Sequence, residues 1–286
     1  MRGKSFIFLF KRRKIILAFI LIAIILILLT LKVYENSNNV LATWKRNHTL
    51  KEILFNEYNV KGRISIIIDD FGNHGDGTSE MLRNIKRPLT CAIMPFMPYT
   101  KEEAELAHEL GHEVIIHIPM EPHKGNPEWL GAKAITTLLS TDEIKHIIRE
   151  AIEDVPYAVG VNNHMGSKAT EDKRVIQAIM EVLKEKDMFI VDSKTSQKSV
   201  IREIAEEYGV KVYERDVFLD NSKDIYNIKK QIKKLELVAE ENKIAIGIGH
   251  VGPEGGKVTA KAIQEMIPEI ESLGLIIVPI SLLNEY

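Results

Sequence analysis

A chain of 286 residues, 45% hydrophobic and 27% charged, has a globular composition and is long enough for one large domain or two small ones. Its net charge of −2 hides an asymmetry. Residues 1–34 hold seven bases (Arg2, Lys4, Lys11, Arg12, Arg13, Lys14, Lys32) and no acid; taking these from 38 Lys+Arg leaves 31 against 40 Asp+Glu in the rest. An acidic body excludes general nucleic-acid binding, which needs a basic face, and the single cysteine, Cys91, excludes an internal disulfide and reads as plain core.

Residues 15–31 are apolar except for Thr30. At ~1.5 Å per residue this run reaches ~26 Å, close to a bilayer core of ~30 Å. The basic cluster at 11–14 predicts a cytoplasmic tail over 1–14, a single transmembrane anchor over 15–31, and the remainder outside the cell membrane. The competing reading is a secretory signal, cleaved near Val40 and Ala42, that releases the domain. Residues 32–60, polar and carrying Asn36, Ser37, Asn38 and Asn39 in a row, read as a stalk with a short helix around 49–58.

From residue 61 to 286 short apolar runs alternate with amphipathic segments. The pattern predicts strands over 63–68, 89–94, 113–118, 157–161, 188–192, 210–214, 244–249 and 275–280. It predicts helices over 78–86, 100–110, 141–153, 171–186, 197–208, 223–241 and 257–273. Thr141 and Thr170 are expected as N-caps, and Gly111, Gly209 and Gly274 follow helices as C-terminal glycines do. Such βα alternation predicts a parallel α/β domain. Nearly every strand-like run ends on an acid or a histidine, from the first run to the seventh. A (β/α) barrel brings such distant strand ends to one mouth, where barrel enzymes hold their chemistry; an open sheet gathers ligands at a single switch point. The barrel is the expected form.

The strand ends supply the candidate residues. Asp69 and Asp70 follow Ile66-Ile67-Ile68. Alternation along a strand predicts that they point differently, one to a metal and the other acting as a base. His117 closes Val114-Ile115-Ile116, and Glu121 lies four residues on as a second ligand or a carboxylate partner. Imidazole with carboxylate suits zinc or a similar divalent ion. His164 follows Asn162 and Asn163 on the same face, and Asp192 ends the fifth run. His250, between Gly249 and Val251-Gly252, suits a proton donor or a substrate contact. His112 is expected to face solvent before its strand.

The segments Ile68-Asp69-Asp70-Phe71-Gly72, His117-Ile118-Pro119-Met120-Glu121-Pro122, Val161-Asn162-Asn163-His164-Met165-Gly166-Ser167 and Gly247-Ile248-Gly249-His250-Val251-Gly252-Pro253 together resemble the NodB-homology-type polysaccharide deacetylases, most closely the divergent polysaccharide deacetylase branch. The resemblance covers roughly residues 63–281. It implies a distorted (β/α) barrel of about seven parallel strands, a divalent metal, usually zinc, and removal of acetyl groups from amino sugars of a polysaccharide or peptidoglycan-type substrate. It implies Asp69 as catalytic base, Asp70 and His117 as metal ligands, and His250 as general acid, with Asn163 and Asp192 as substrate-binding residues. Two departures from the mainstream family stand out. Glu121 occupies the place of a second metal histidine, and Asn162-Asn163-His164 replaces an arginine-proline motif. His164 is therefore expected to supply the missing imidazole, with Glu121 as the alternative ligand. These departures motivate a second reading, a catalytically inactive glycan-binding or scaffolding protein of the cell envelope.

Overall fold

The computed structural model describes residues 60–283. The expected basic tail, the anchor over 15–31 and nearly all of the stalk lie outside the described residues, within which no helix is long and apolar enough to cross a membrane.

The described chain runs β1 (Gly62–Phe71), α1 (Thr78–Asn84), β2 (Thr90–Ile93), α2 (Thr100–Glu109), β3 (Glu113–Met120), α3 (Thr141–Asp154), β4 (Ala158–Met165), α4 (Lys173–Glu185), β5 (Phe189–Asp192), α5 (Ile201–Tyr208), β6 (Val212–Glu214), β7 (Val217–Phe218), α6 (Ile225–Asn242), β8 (Ile244–His250), α7 (Gly256–Ser272) and β9 (Leu275–Ile277). The strands form one sheet in the order β6-β5-β4-β3-β2-β1-β8-β7, with β9 beside β1, and every ladder is parallel. The two ends of that order are joined by Arg215 and Asp216 alone. Three Cα–Cα steps of about 3.8 Å span at most about 11 Å, so the sheet curls until its edges nearly meet, with a seam between β6 and β7. This is a curled parallel α/β fold consistent with a (β/α) barrel. Among the described residues the sheet has nine strands rather than about seven, because β7 is a two-residue ladder and β9 adds to the start of β1.

Alternation along each strand divides the core in two. Ile64, Ile66 and Ile68 face the helices, where they join the large outer cluster. Ile67, Ala92, Ile115, Val191, Ile246 and Ile248 point into the curl. The strand expected over 275–280 stops at Ile277, and the chain then turns under the barrel. Val278, Ile280 and Leu283 join the inner cluster, Val278 N–H bonds Ile64 O at 3.0 Å, and Ile280 N–H bonds Thr90 Oγ1 at 3.1 Å. The C-terminal segment thus plugs the end where strands begin and leaves the other end to the strand-terminal polar residues.

Three local expectations are corrected. Ser140, not Thr141, caps α3, because Ser140 and Glu143 form a reciprocal capping box. Asp172 caps α4 by accepting from Arg174 and Val175 N–H, while the Thr170 hydroxyl bonds Gly166 O. His112 is buried: its Nδ1 accepts from Leu89 N–H at 3.1 Å and its Nε2 donates to Leu82 O at 2.9 Å. Gly111, Gly209 and Gly274 all take positive φ after their helices, and Cys91 is fully buried.

Candidate metal centre

Two residues beyond the inner-face apolar positions, the same parity delivers polar groups. Ile67 leads to Asp69, Ile115 to His117, and Ile248 to His250 on one inner face. Register sets their neighbours: Asp69 pairs with His250, His117 with Asn162, and Pro119 with His164. Asp70 has the wrong parity for this face. One extra residue in β1 between the Ile68–Cys91 and Phe71–Ile93 pairs makes a bulge, and Asp70 takes φ 71° within it. The bulge turns Asp70 inward beside Asp69. Glu103, fully buried, fixes the loop that follows by accepting from Gly72 N–H and His74 N–H, both at 2.6 Å.

Three ligand atoms meet there. Asp70 Oδ1 lies 3.2 Å from His117 Nε2 and 3.0 Å from His164 Nδ1, and the two nitrogens are 3.1 Å apart. The partners of the opposite ring nitrogens fix both tautomers. His117 Nδ1 donates to Asn162 Oδ1 at 2.6 Å, and Asn162 is held in that orientation because its amide nitrogen donates to Asp69 Oδ1 at 2.8 Å. His164 Nε2 donates to Trp129 O at 2.9 Å. His117 Nε2 and His164 Nδ1 are thereby left with lone pairs facing a carboxylate oxygen. Three acceptors do not converge in a buried place without a positive charge between them, and Asp70 Oδ1 is buried with no well-aligned hydrogen bond. Two ligands about 2.0–2.1 Å from a tetrahedral ion stand about 3.3 Å apart, close to the three edges seen here. Two imidazoles and one carboxylate on a single face fit zinc or another divalent ion, and Asp70, His117 and His164 form the one such group among the described residues.

Electrostatics sorts the remaining groups. Burial would raise the Asp70 carboxyl, but the His117 and His164 imidazoles hold it well below the usual range. Burial pushes Asp69 up, partly offset by His117 and His250. Its Oδ2, not engaged by Asn162, lies 3.7 Å from His117 Nε2. Burial opposes protonation of His250, yet a 2.8 Å bond from its Nδ1 to Asp220 Oδ1, together with the nearby Asp69 and Asp70 charges, outweighs it and raises its pKa to about 9. Asp220 is itself buried, and its Oδ2 accepts from His250 N–H and the Thr259 hydroxyl.

Of the residues expected from sequence, Asp69, Asp70, His117, His164 and His250 converge. Glu121 does not join them: its Oε2 accepts from Thr137 N–H and Oγ1 and its Oε1 pairs with Lys168, each at 2.7 Å. Asn163 and Asp192 are buried and held elsewhere. Asn163 donates to Met165 O and accepts from Ser193 N–H, and Asp192 Oδ1 accepts from Lys194 N–H. Sequence reading missed Asn162 as the bridge between Asp69 and His117, and Asp220 as the partner of His250. The signal for Asp220 is a short apolar run, Val217-Phe218-Leu219, ending on an acid.

With this geometry established, comparison with known proteins gives a consistent result. The family described as divergent polysaccharide deacetylase matches residues 66–283. YibQ of Escherichia coli (strain K12) is 37% identical over 224 residues, covering 78% of this chain and 68% of YibQ. The crystal structure of ATU2773 from Agrobacterium tumefaciens C58 has a TM-score of 0.72 at 22% identity, covering 78% of this chain and 89% of that one. The Bc1960 peptidoglycan N-acetylglucosamine deacetylase has a TM-score of 0.51 at 13% identity, covering 80% and 90%. The two structural likenesses concern the fold. The family match runs from inside β1 to the segment that plugs the barrel, and it contains every strand end that meets at the three-ligand cluster, so the chain belongs to the divergent polysaccharide deacetylase family.

Proposed function

We propose that this domain is a metal-dependent hydrolase that removes acetyl groups from amino sugars of an extracytoplasmic polysaccharide. The observation that carries the reading is the Asp70, His117 and His164 triangle with Asp69 and His250 beside it. Asp70 Oδ1, His117 Nε2 and His164 Nδ1 would hold the ion. When bound, it supplies Lewis-acid polarisation of the acetyl carbonyl and lowers the pKa of water.

The chain's own residues supply the proton transfers. Asp69 Oδ1 is held by Asn162, so Oδ2 is the free oxygen that takes a proton from the attacking water. His250 Nδ1 is held by Asp220, so Nε2 is the nitrogen that gives a proton to the leaving amine, and a pKa of about 9 keeps it charged at neutral pH. Water and the amide are consumed; acetate and the free amine are formed. A peptidoglycan-type substrate is supported by the fold shared with Bc1960, a peptidoglycan N-acetylglucosamine deacetylase. An anchor over 15–31 belongs to the same reading, because such a polymer lies outside the cytoplasm and a basic cluster precedes the apolar run.

The direct test is acetate release from N-acetylglucosamine polymers by the purified full-length protein, with chelator and then added zinc. Release that stops with chelator and returns with metal is the expected result. Absence of both acetate release and a bound ion would favour the glycan-binding scaffold, in keeping with Asn162-Asn163 standing where the mainstream family has arginine-proline.

A further inference from the structure

His164 takes its N–H partner from Trp129, whose backbone carbonyl lies in the short 3-10 turn Pro127–Leu130 between β3 and α3. That turn is tied at both ends. Trp129 N–H donates to Asn126 O at 3.0 Å, and Asn126 Oδ1 accepts from Glu128 N–H at 3.1 Å. Gly131, at φ 76°, then turns the chain away. Both main-chain groups of Trp129 are therefore fixed, yet the residue is 66% exposed. Summing the 2.9 Å contact with a C=O and a Cα–C bond places Trp129 Cα no more than about 6 Å from His164 Nε2. A large aromatic held at the rim of a charged centre leaves apolar area in water that a ligand could cover.

We infer that the Trp129 indole is a stacking platform for a pyranose ring of the substrate, placed at the rim of the metal centre by the carbonyl that orients His164. The inference rests on the polysaccharide reading above and names one contact within it. A sugar ring presents C–H groups on its faces and hydroxyls around its edge. An exposed indole can cover such a face while leaving the edge solvated. Because the link to His164 is made by the main chain, the side chain can be removed without removing the ligand's hydrogen bond.

The chain has two tryptophans, Trp44 and Trp129, so full-length W44F reports on Trp129 alone. Titration with a pentamer of N-acetylglucosamine should give a saturable change in its emission. By calorimetry, W129A should bind the pentamer at least about tenfold more weakly, W129F should recover most of the loss, and W129A should keep its metal stoichiometry. A pentamer that binds by calorimetry without altering W44F emission overturns the platform, and so does a pentamer that does not bind at all. Loss of the metal in W129A also overturns it, by making the side chain structural. A saturable emission change with no acetate release supports the platform and counts against the deacetylase reading, so the two can fail separately.

Discussion

Asp220→Asn removes the nearest charge to His250, and with it one of two acceptor oxygens. In the native site burial lowers the His250 pKa, but Asp220, with smaller help from Asp69 and Asp70, raises it from 6.5 to about 9. At pH 7.5 a pKa of 9 leaves the imidazolium favoured by roughly 30 to 1; returning it to 6.5 or below leaves it disfavoured by at least roughly 10 to 1. The protonated fraction thus falls about tenfold, and kcat/KM at pH 7.5 should fall by at least that factor. The alkaline limb of the pH–rate profile should move down by about 2.5 units. The difference between the two proteins is the readout. Stability follows with a definite sign. A folded pKa above the unfolded one contributes stability that is fully present below pH 6.5 and is lost as pH rises through about 9. The contribution is at most about 3.5 kcal/mol, from roughly 2.5 units at about 1.4 kcal/mol each. D220N should therefore show its largest stability loss in acid and a smaller, pH-independent loss above about pH 9, because the amide has one acceptor oxygen where Asp220 uses two. Acetate-release profiles and chemical denaturation at pH 6 and pH 9.5 check both. An alkaline limb that stays in place in D220N would refute His250 as the proton donor tuned by Asp220.

Replacing Asp70 or His164 by alanine should abolish stoichiometric metal binding, while E121Q should retain it; metal analysis after dialysis distinguishes the two candidates for the third ligand. N162A leaves Asp69 Oδ1 and His117 Nδ1 without their partners and should weaken metal affinity about 10- to 100-fold, as read by competition with a chelating dye. E103A removes a buried carboxylate from two backbone N–H groups. It should cost roughly 3 kcal/mol and lower the melting temperature by roughly 6–12 °C, with E103Q intermediate.

The strong periodicities were legible. β1, β3 and β8 carry long apolar runs, so their polar ends could be read as meeting at one mouth. The amphipathic helices were placed to within a few residues for the same reason. What was not legible depended on geometry that composition does not encode. Asp70 faces inward through a bulge visible only in the β1–β2 register, against the alternation that predicts the two acids to diverge. Asn162 matters because it pairs across strands with His117, and Asn163, one residue on, faces the other way. Asp220 follows a strand of two residues, too short to show a period. Glu121 has the family spacing for a ligand, but Lys168 and Thr137 claim it.

Anomalous diffraction at the zinc edge, from crystals grown with the metal, addresses the triangle itself. One peak is expected about 2.0–2.3 Å from each of Asp70 Oδ1, His117 Nε2 and His164 Nδ1. A peak at Glu121, or none near Asp70 in crystals saturated with zinc, would contradict it.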